Sequence, residues 1–150
     1  MKIVAENKKA FFDYEILDRL EAGIVLSGDE VKSLRGKQVS LKGAFAQFHQ
    51  GELMLVNANI PVYRFAYTKH EDETTKSRKL LLHKRELMRL LGEVSQRGIT
   101  LVPLRIYFNE KGLAKVALGL ARAKKKADKK QKLKERDIER ETIRELKKYN

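Results

Sequence analysis

The chain is 150 residues long, enough for one domain with a core of its own. Charged residues make up 35% of it, and 33 Lys+Arg against 20 Asp+Glu leave a formal net charge of +13, a balance that favours a polyanionic partner. There is no Cys, which excludes a disulfide framework, a thiolate zinc site and a thiol nucleophile, and no apolar run approaches the roughly 18 residues of a membrane-spanning helix.

The first twelve residues, MKIVAENKKAFF, hold only Ile3, Val4 and Ala5 as an apolar run, too short for a signal-peptide core, so a cytoplasmic protein without membrane contact is expected. From Ala10 to Leu26 the aromatic and β-branched residues Phe11, Phe12, Tyr14, Ile16, Ile24 and Val25 predict one or two strands, broken near Glu21-Ala22-Gly23. Gly28-Asp29 reads as a turn with Asp29 as helix cap, followed by a short helix over 30–34 that ends at Gly36. Ala44–His49, the turn Gln50-Gly51-Glu52 and the alternation of Met54, Val56, Ala58 and Ile60 against Leu53, Leu55, Asn57 and Asn59 predict a hairpin. Residues 69–77 are polar and read as the longest loop.

Leu87, Met88, Leu91 and Val94 recur at helical spacing within 80–97, and Gly98 is placed to follow the helix end. Then Val102, Leu104, Ile106 and Phe108 alternate against Leu101, Pro103, Arg105 and Tyr107, Asn109–Gly112 turns the chain, and Val116, Leu118 and Leu120 continue the pattern. The small residues Ala117, Gly119 and Ala121 on the other face leave room for a second backbone or a ligand. About six short strands with two inserted helices predict a mainly β fold, a small OB-like closed barrel over 1–121.

The last segment, 122–150, differs in kind. It carries 13 basic and 6 acidic side chains, against 20 and 14 in the rest, and it lacks Phe, Val, Gly, Pro and Met. Lys132, Arg136, Arg140, Arg144 and Lys148 recur every four residues, so a helix there carries a basic stripe whose like charges oppose it by about 0.2–0.5 kcal/mol per pair. A basic tail is expected, disordered when free and helical when an anionic groove neutralises that stripe.

No enzyme constellation emerges. Gly36-Lys37 is followed by Gln38 where a phosphate loop needs Ser or Thr, no Ser lies in a GxSxG string, and His49, His70 and His83 have neither metal-ligand nor triad spacing. No catalytic residue, metal or cofactor is expected. Nucleic-acid binding is better supported. Asn7-Lys8-Lys9, Lys32-Ser33-Leu34-Arg35-Gly36-Lys37 and Lys76-Ser77-Arg78-Lys79 are basic clusters at the edges of predicted elements, suited to neutralising phosphates, and an exposed Tyr or Phe near them could stack on unpaired bases.

Several longer strings carry a resemblance. GDEVKSLRGK at Gly28–Lys37, Asn7-Lys8-Lys9-Ala10 with Asp13-Tyr14, RKLLLHKRE at Arg78–Glu86, the segments Gly98–Tyr107 and Gly112–Arg122, and Asp128-Lys129-Lys130 stand in order, and together the chain resembles the SsrA-binding protein (small protein B) family. The resemblance implies a non-enzymatic, monomeric factor of trans-translation, whose barrel binds the tRNA-like domain of tmRNA and brings it to stalled ribosomes. It implies that Asn7, Glu30, Lys32, Ser33 and Arg35 face the tmRNA with Arg78 and Lys79 nearby. The tail is then expected to meet small-subunit ribosomal RNA in the empty messenger channel near the decoding centre, through Lys124, Lys125, Asp128, Lys129 and Lys130, with Arg136 and Arg140 on its basic stripe. Ala123 stands where the family string has Gly, and Lys130 where Arg is usual. The alternative reading of the residues is an OB-type ribosomal protein or RNA chaperone that binds RNA with little specificity.

Overall fold

A computed structural model describes residues 1–36, 38–63, 65, 74–96 and 98–124. In chain order the elements are β1 (Lys2–Glu6), α1 (Lys8–Asp13), β2 (Tyr14–Ile24), α2 (Gly28–Arg35), β3 (Phe45–His49), β4 (Glu52–Val56), β5 (Arg78–Leu81), α3 (Lys84–Val94), β6 (Ile99–Phe108) and β7 (Ala114–Ala123). All strand pairings are antiparallel, in the order β1-β6-β3-β4-β5-β2-β7. β7 also pairs with β6, which closes six strands into a ring and leaves β1 attached beside it. The closed barrel expected from the strand count is therefore present.

The connections follow from local chemistry. Gln50 (φ 49°) and Gly51 (φ 78°) are both left-handed, the requirement of a tight turn between β3 and β4 whose twist matches its strands. Asn57, also left-handed at φ 65°, ends β4, so the strand is shorter than the alternation through Ile60 suggests, although Ser40 and Asn59 still form a bridge. The β6–β7 turn is held by the Asn109 side chain, which accepts from the N–H groups of Lys111 and Leu113.

Several expectations need correction. Residues 8–13 are a helix, not strand. Asn7 caps it by accepting from the Ala10 N–H, and α1 then packs Ala10 and Phe11 against Val102, Leu104 and Ala121. β2 runs unbroken through Glu21-Ala22-Gly23, which pair with Ala117, Val116 and Lys115. The cap of α2 is Ser27, not Asp29: Ser27 Oγ accepts from the Glu30 N–H, and the Glu30 carboxylate accepts from the Ser27 N–H. Residues 78–81 form β5, because they bridge β4 and β2 and so close the ring; the helix starts only at Lys84 and ends at Ser95, before Gly98. The strand Lys2–Glu6 was absent from the sequence reading.

Two bulges govern the core. β6 shifts register between Pro103 and Arg105, and β2 between Ile16 and Asp18, both against a regular β7. An extra residue reverses which face the following side chains occupy. Hence Leu101, Ile106 and Phe108 belong to the cluster inside the ring, with Leu53, Leu55, Leu80, Val116 and Leu118. Val102 and Leu104 turn to the other side, under α1. The single apolar face read over Val102, Leu104, Ile106 and Phe108 is thus divided in two. The space at Gly119 is taken by Leu104, whose side-chain carbons stand 3.2 Å from where a Cβ would sit, so a side chain of the core fills it.

Candidate nucleic-acid interface

Two of the expected basic clusters sit on α1 and on α2. In the first, α1 presents Lys8 and Lys9, both exposed. Lys9 and Lys42 line a groove of about 300 Å³ with Tyr14, Phe45 and Thr100 along its walls. Asn7 is buried beneath it. Its amide donates to Pro103 O (3.0 Å) and Leu41 O (3.5 Å), while its oxygen accepts from the Ala10 N–H. Asn7 thus ties α1 to the barrel while still contributing to the lining of the groove. The chain leaves β7 at the same place: the Lys124 N–H donates to Asp13 O and its Nζ to Phe11 O.

In the second, α2 presents Lys32 and Arg35, both exposed and three residues apart on one helical face. Ser33, between them, is buried and donates to Pro61 O at 2.5 Å, which fastens the segment after β4 to the helix. That segment brings Tyr63 under Lys32, whose Nζ stands 5.4 Å from the ring centroid. Tyr63 in turn meets Phe65 edge-on, centroids 5.7 Å apart. The sequence reading missed both aromatics. The signal was the aromatic pair around Arg64, but its 28-residue separation from α2 hid the juxtaposition.

Behind this surface lies an ion pair. Arg78 has a side chain only 2% exposed and Glu30 one of 14%. Arg78 Nε donates to Glu30 Oε2 at 2.5 Å, and the rest of the guanidinium donates to Ala58 O (2.9 Å), Thr74 O (3.0 Å) and Lys76 O (3.2 Å). Lys76 Nζ stands 3.7 Å from the other Glu30 oxygen. Burial alone raises the Glu30 pKa. The Ser27 N–H, the Arg78 guanidinium and the Lys76 charge together outweigh that and hold the carboxyl below its ordinary value of 4.5. Glu30 and Arg78 are thereby committed to each other and to the backbone. Lys79, next along β5, is exposed and pairs with Glu52 at 3.2 Å, a contact of two solvated groups.

Of the side chains expected to face RNA, Lys8, Lys9, Lys32, Arg35 and Lys79 are therefore exposed, Asn7, Ser33 and Arg78 are buried, and Glu30 lies between, partly open to solvent. Lys125, Asp128, Lys129, Lys130, Arg136 and Arg140 fall outside the described residues, as do Lys37 and most of the loop expected at 69–77. A further, partly buried contact, Tyr107 donating its hydroxyl to Glu21, spans β6 to β2 across β7; burial first, and then the Glu21 carboxylate, push the phenol pKa well up. Among the described residues no three His, Asp or Glu side chains converge as a metal cradle, and no helix is long and apolar enough to cross a membrane.

Comparison with known proteins bears on the family and the fold. Residues 4–148 match the family model described as SmpB protein. The chain is 51% identical over 148 residues to the SsrA-binding protein of Bartonella henselae, covering 99% of this chain and 93% of that one. It is 48% identical over 145 residues to the SsrA-binding protein of Coprothermobacter proteolyticus, covering 97% of each. A solved structure described as "tmRNA-SmpB: a journey to the center of the bacterial ribosome" superposes with a TM-score of 0.67 at 57% identity, over 81% of this chain and 85% of that one.

Proposed function

The chain belongs to the SmpB family, and from that premise we propose that it is a tmRNA-binding factor of trans-translation that works on the ribosome. The observation that carries this reading is the family match over residues 4–148, sustained at about half identity by SsrA-binding proteins over nearly their whole length. The chemistry supports it: a basic, closed barrel with lysines and arginines on surfaces held rigid from behind is suited to grip a structured RNA.

In this reading the barrel binds the tRNA-like domain of tmRNA and carries that RNA to stalled ribosomes in the cytoplasm, with no catalysis of its own. Lys8, Lys9, Lys32, Arg35 and Lys79 meet phosphates. Asn7, Glu30, Ser33 and Arg78 are positioning residues that fix the helices and segments bearing them. The tail beyond Lys124, through Lys125, Asp128, Lys129, Lys130, Arg136 and Arg140, enters the empty messenger channel and folds against small-subunit ribosomal RNA, while Arg122 stays in β7 and Lys124 on α1. The test is competition: labelled tmRNA bound to the full chain is challenged with excess unstructured RNA. Retention of the tmRNA supports the proposal. Displacement at equal nucleotide concentration marks a general RNA binder instead.

A further inference from the structure

Phe65 keeps 74% of its surface in solvent, an unusual place for a large apolar ring. It does not stand there by itself: the segment that leads to it is anchored from Ala58 to Pro61. Ala58 O accepts from Arg78, Asn59 and Ser40 exchange backbone hydrogen bonds, the Ile60 N–H donates to Thr74 O, and Pro61 O accepts from Ser33. The rings of Tyr63 and Phe65 are thus presented in an edge-on step beside α2, with the Lys32 ammonium over Tyr63 and Arg35 one turn further along. An aromatic step bordered by cations complements a nucleotide, since the ring face takes the base and the cations take the flanking phosphates.

We propose that Tyr63, Phe65, Lys32 and Arg35 form a stacking site for an unpaired base of tmRNA. The inference rests on the tmRNA reading above and adds a contact to it. It commits to tmRNA, not ribosomal RNA, because α2 carries the cations assigned to tmRNA there. Stacking tolerates any base but requires an aromatic ring, so Phe65→Trp retains the site where Phe65→Leu removes it.

The chain has no Trp, so Phe65→Trp introduces a single indole reporter. With purified tmRNA, Phe65→Trp is expected to bind as the parent does, with its emission quenched at saturation. Phe65→Leu is expected to bind roughly tenfold more weakly, within the range found for loss of one base–aromatic stack, and to melt at the parent temperature. Parent-like tmRNA affinity in Phe65→Leu, or indole emission unchanged by saturating tmRNA, overturns the inference. So does quenching by isolated small ribosomal subunits with none by tmRNA. Failure of the parent chain itself to bind tmRNA strikes the underlying reading instead, so the two failures are told apart.

Discussion

Glu30 and Arg78 show how members of a basic cluster can be held by each other and by the backbone behind a charged surface. Losing the Arg78 guanidinium leaves the buried Ala58 O without its donor and the partly buried Glu30 with only the Ser27 N–H and Lys76, which costs about 1–3 kcal/mol. Arg78→Met is therefore expected to lower the urea unfolding midpoint sharply, and a midpoint equal to the parent's contradicts the assignment. The pair also predicts a pH dependence. The folded Glu30 pKa lies below its ordinary value of 4.5, so the stabilisation is present above that value and lost as pH falls through the folded pKa. Unfolding midpoints followed downward from neutral pH are expected to fall more steeply below 4.5 for the parent than for Glu30→Gln. Tyr107 carries the opposite sign. Its raised pKa means that its contribution is full below the ordinary value of 10.0 and declines as pH rises beyond it. The clusters containing these residues were legible in the sequence, because basic residues flank element ends. Which members turn inward was not, since Arg78 is buried only once β5 joins β4 and β2 and brings Ala58, Thr74 and Glu30 around it.

At the scale of elements, the strongest local patterns held and the corrected ones were overridden by pairing or packing. The alternation along β7 and the turn at Gln50-Gly51 specify their structures from their own residues. The stretch 10–13 looks like strand by propensity, yet Asn7 and the surface of Val102 and Leu104 make it a helix. A bulge changes the parity of a strand without changing its composition, so the divided face of β6 could not be read from alternation alone. Two substitutions test this. Asn7→Ala removes a helix cap and leaves Pro103 O without its donor, and a loss of about 1–2 kcal/mol is expected by chemical denaturation. Gly119→Ala sets a methyl against Leu104, itself 1% exposed and unable to withdraw to solvent, and is expected to cost about 1–3 kcal/mol. A Gly119→Ala protein as stable as the parent contradicts the packing described under α1.

At the scale of the molecule, the proposal divides the work between two parts of different charge density. The ring is closed on one side by a short junction, where β5 joins β2 at Gly23 and Ile24, the end of that strand's eleven residues. The exit at Lys124 is tied to α1 by two hydrogen bonds, which fixes where the tail begins. Truncation after Lys124 is expected to leave tmRNA affinity and melting temperature near those of the parent and to abolish peptide tagging in a reconstituted stalled-ribosome assay. Loss of both activities contradicts the division of labour. The most direct measurement is to recover the full chain from its native cell and sequence the RNA that accompanies it. The account predicts that tmRNA dominates that RNA far beyond its cellular abundance; a sample that mirrors the cell's RNA in proportion contradicts it.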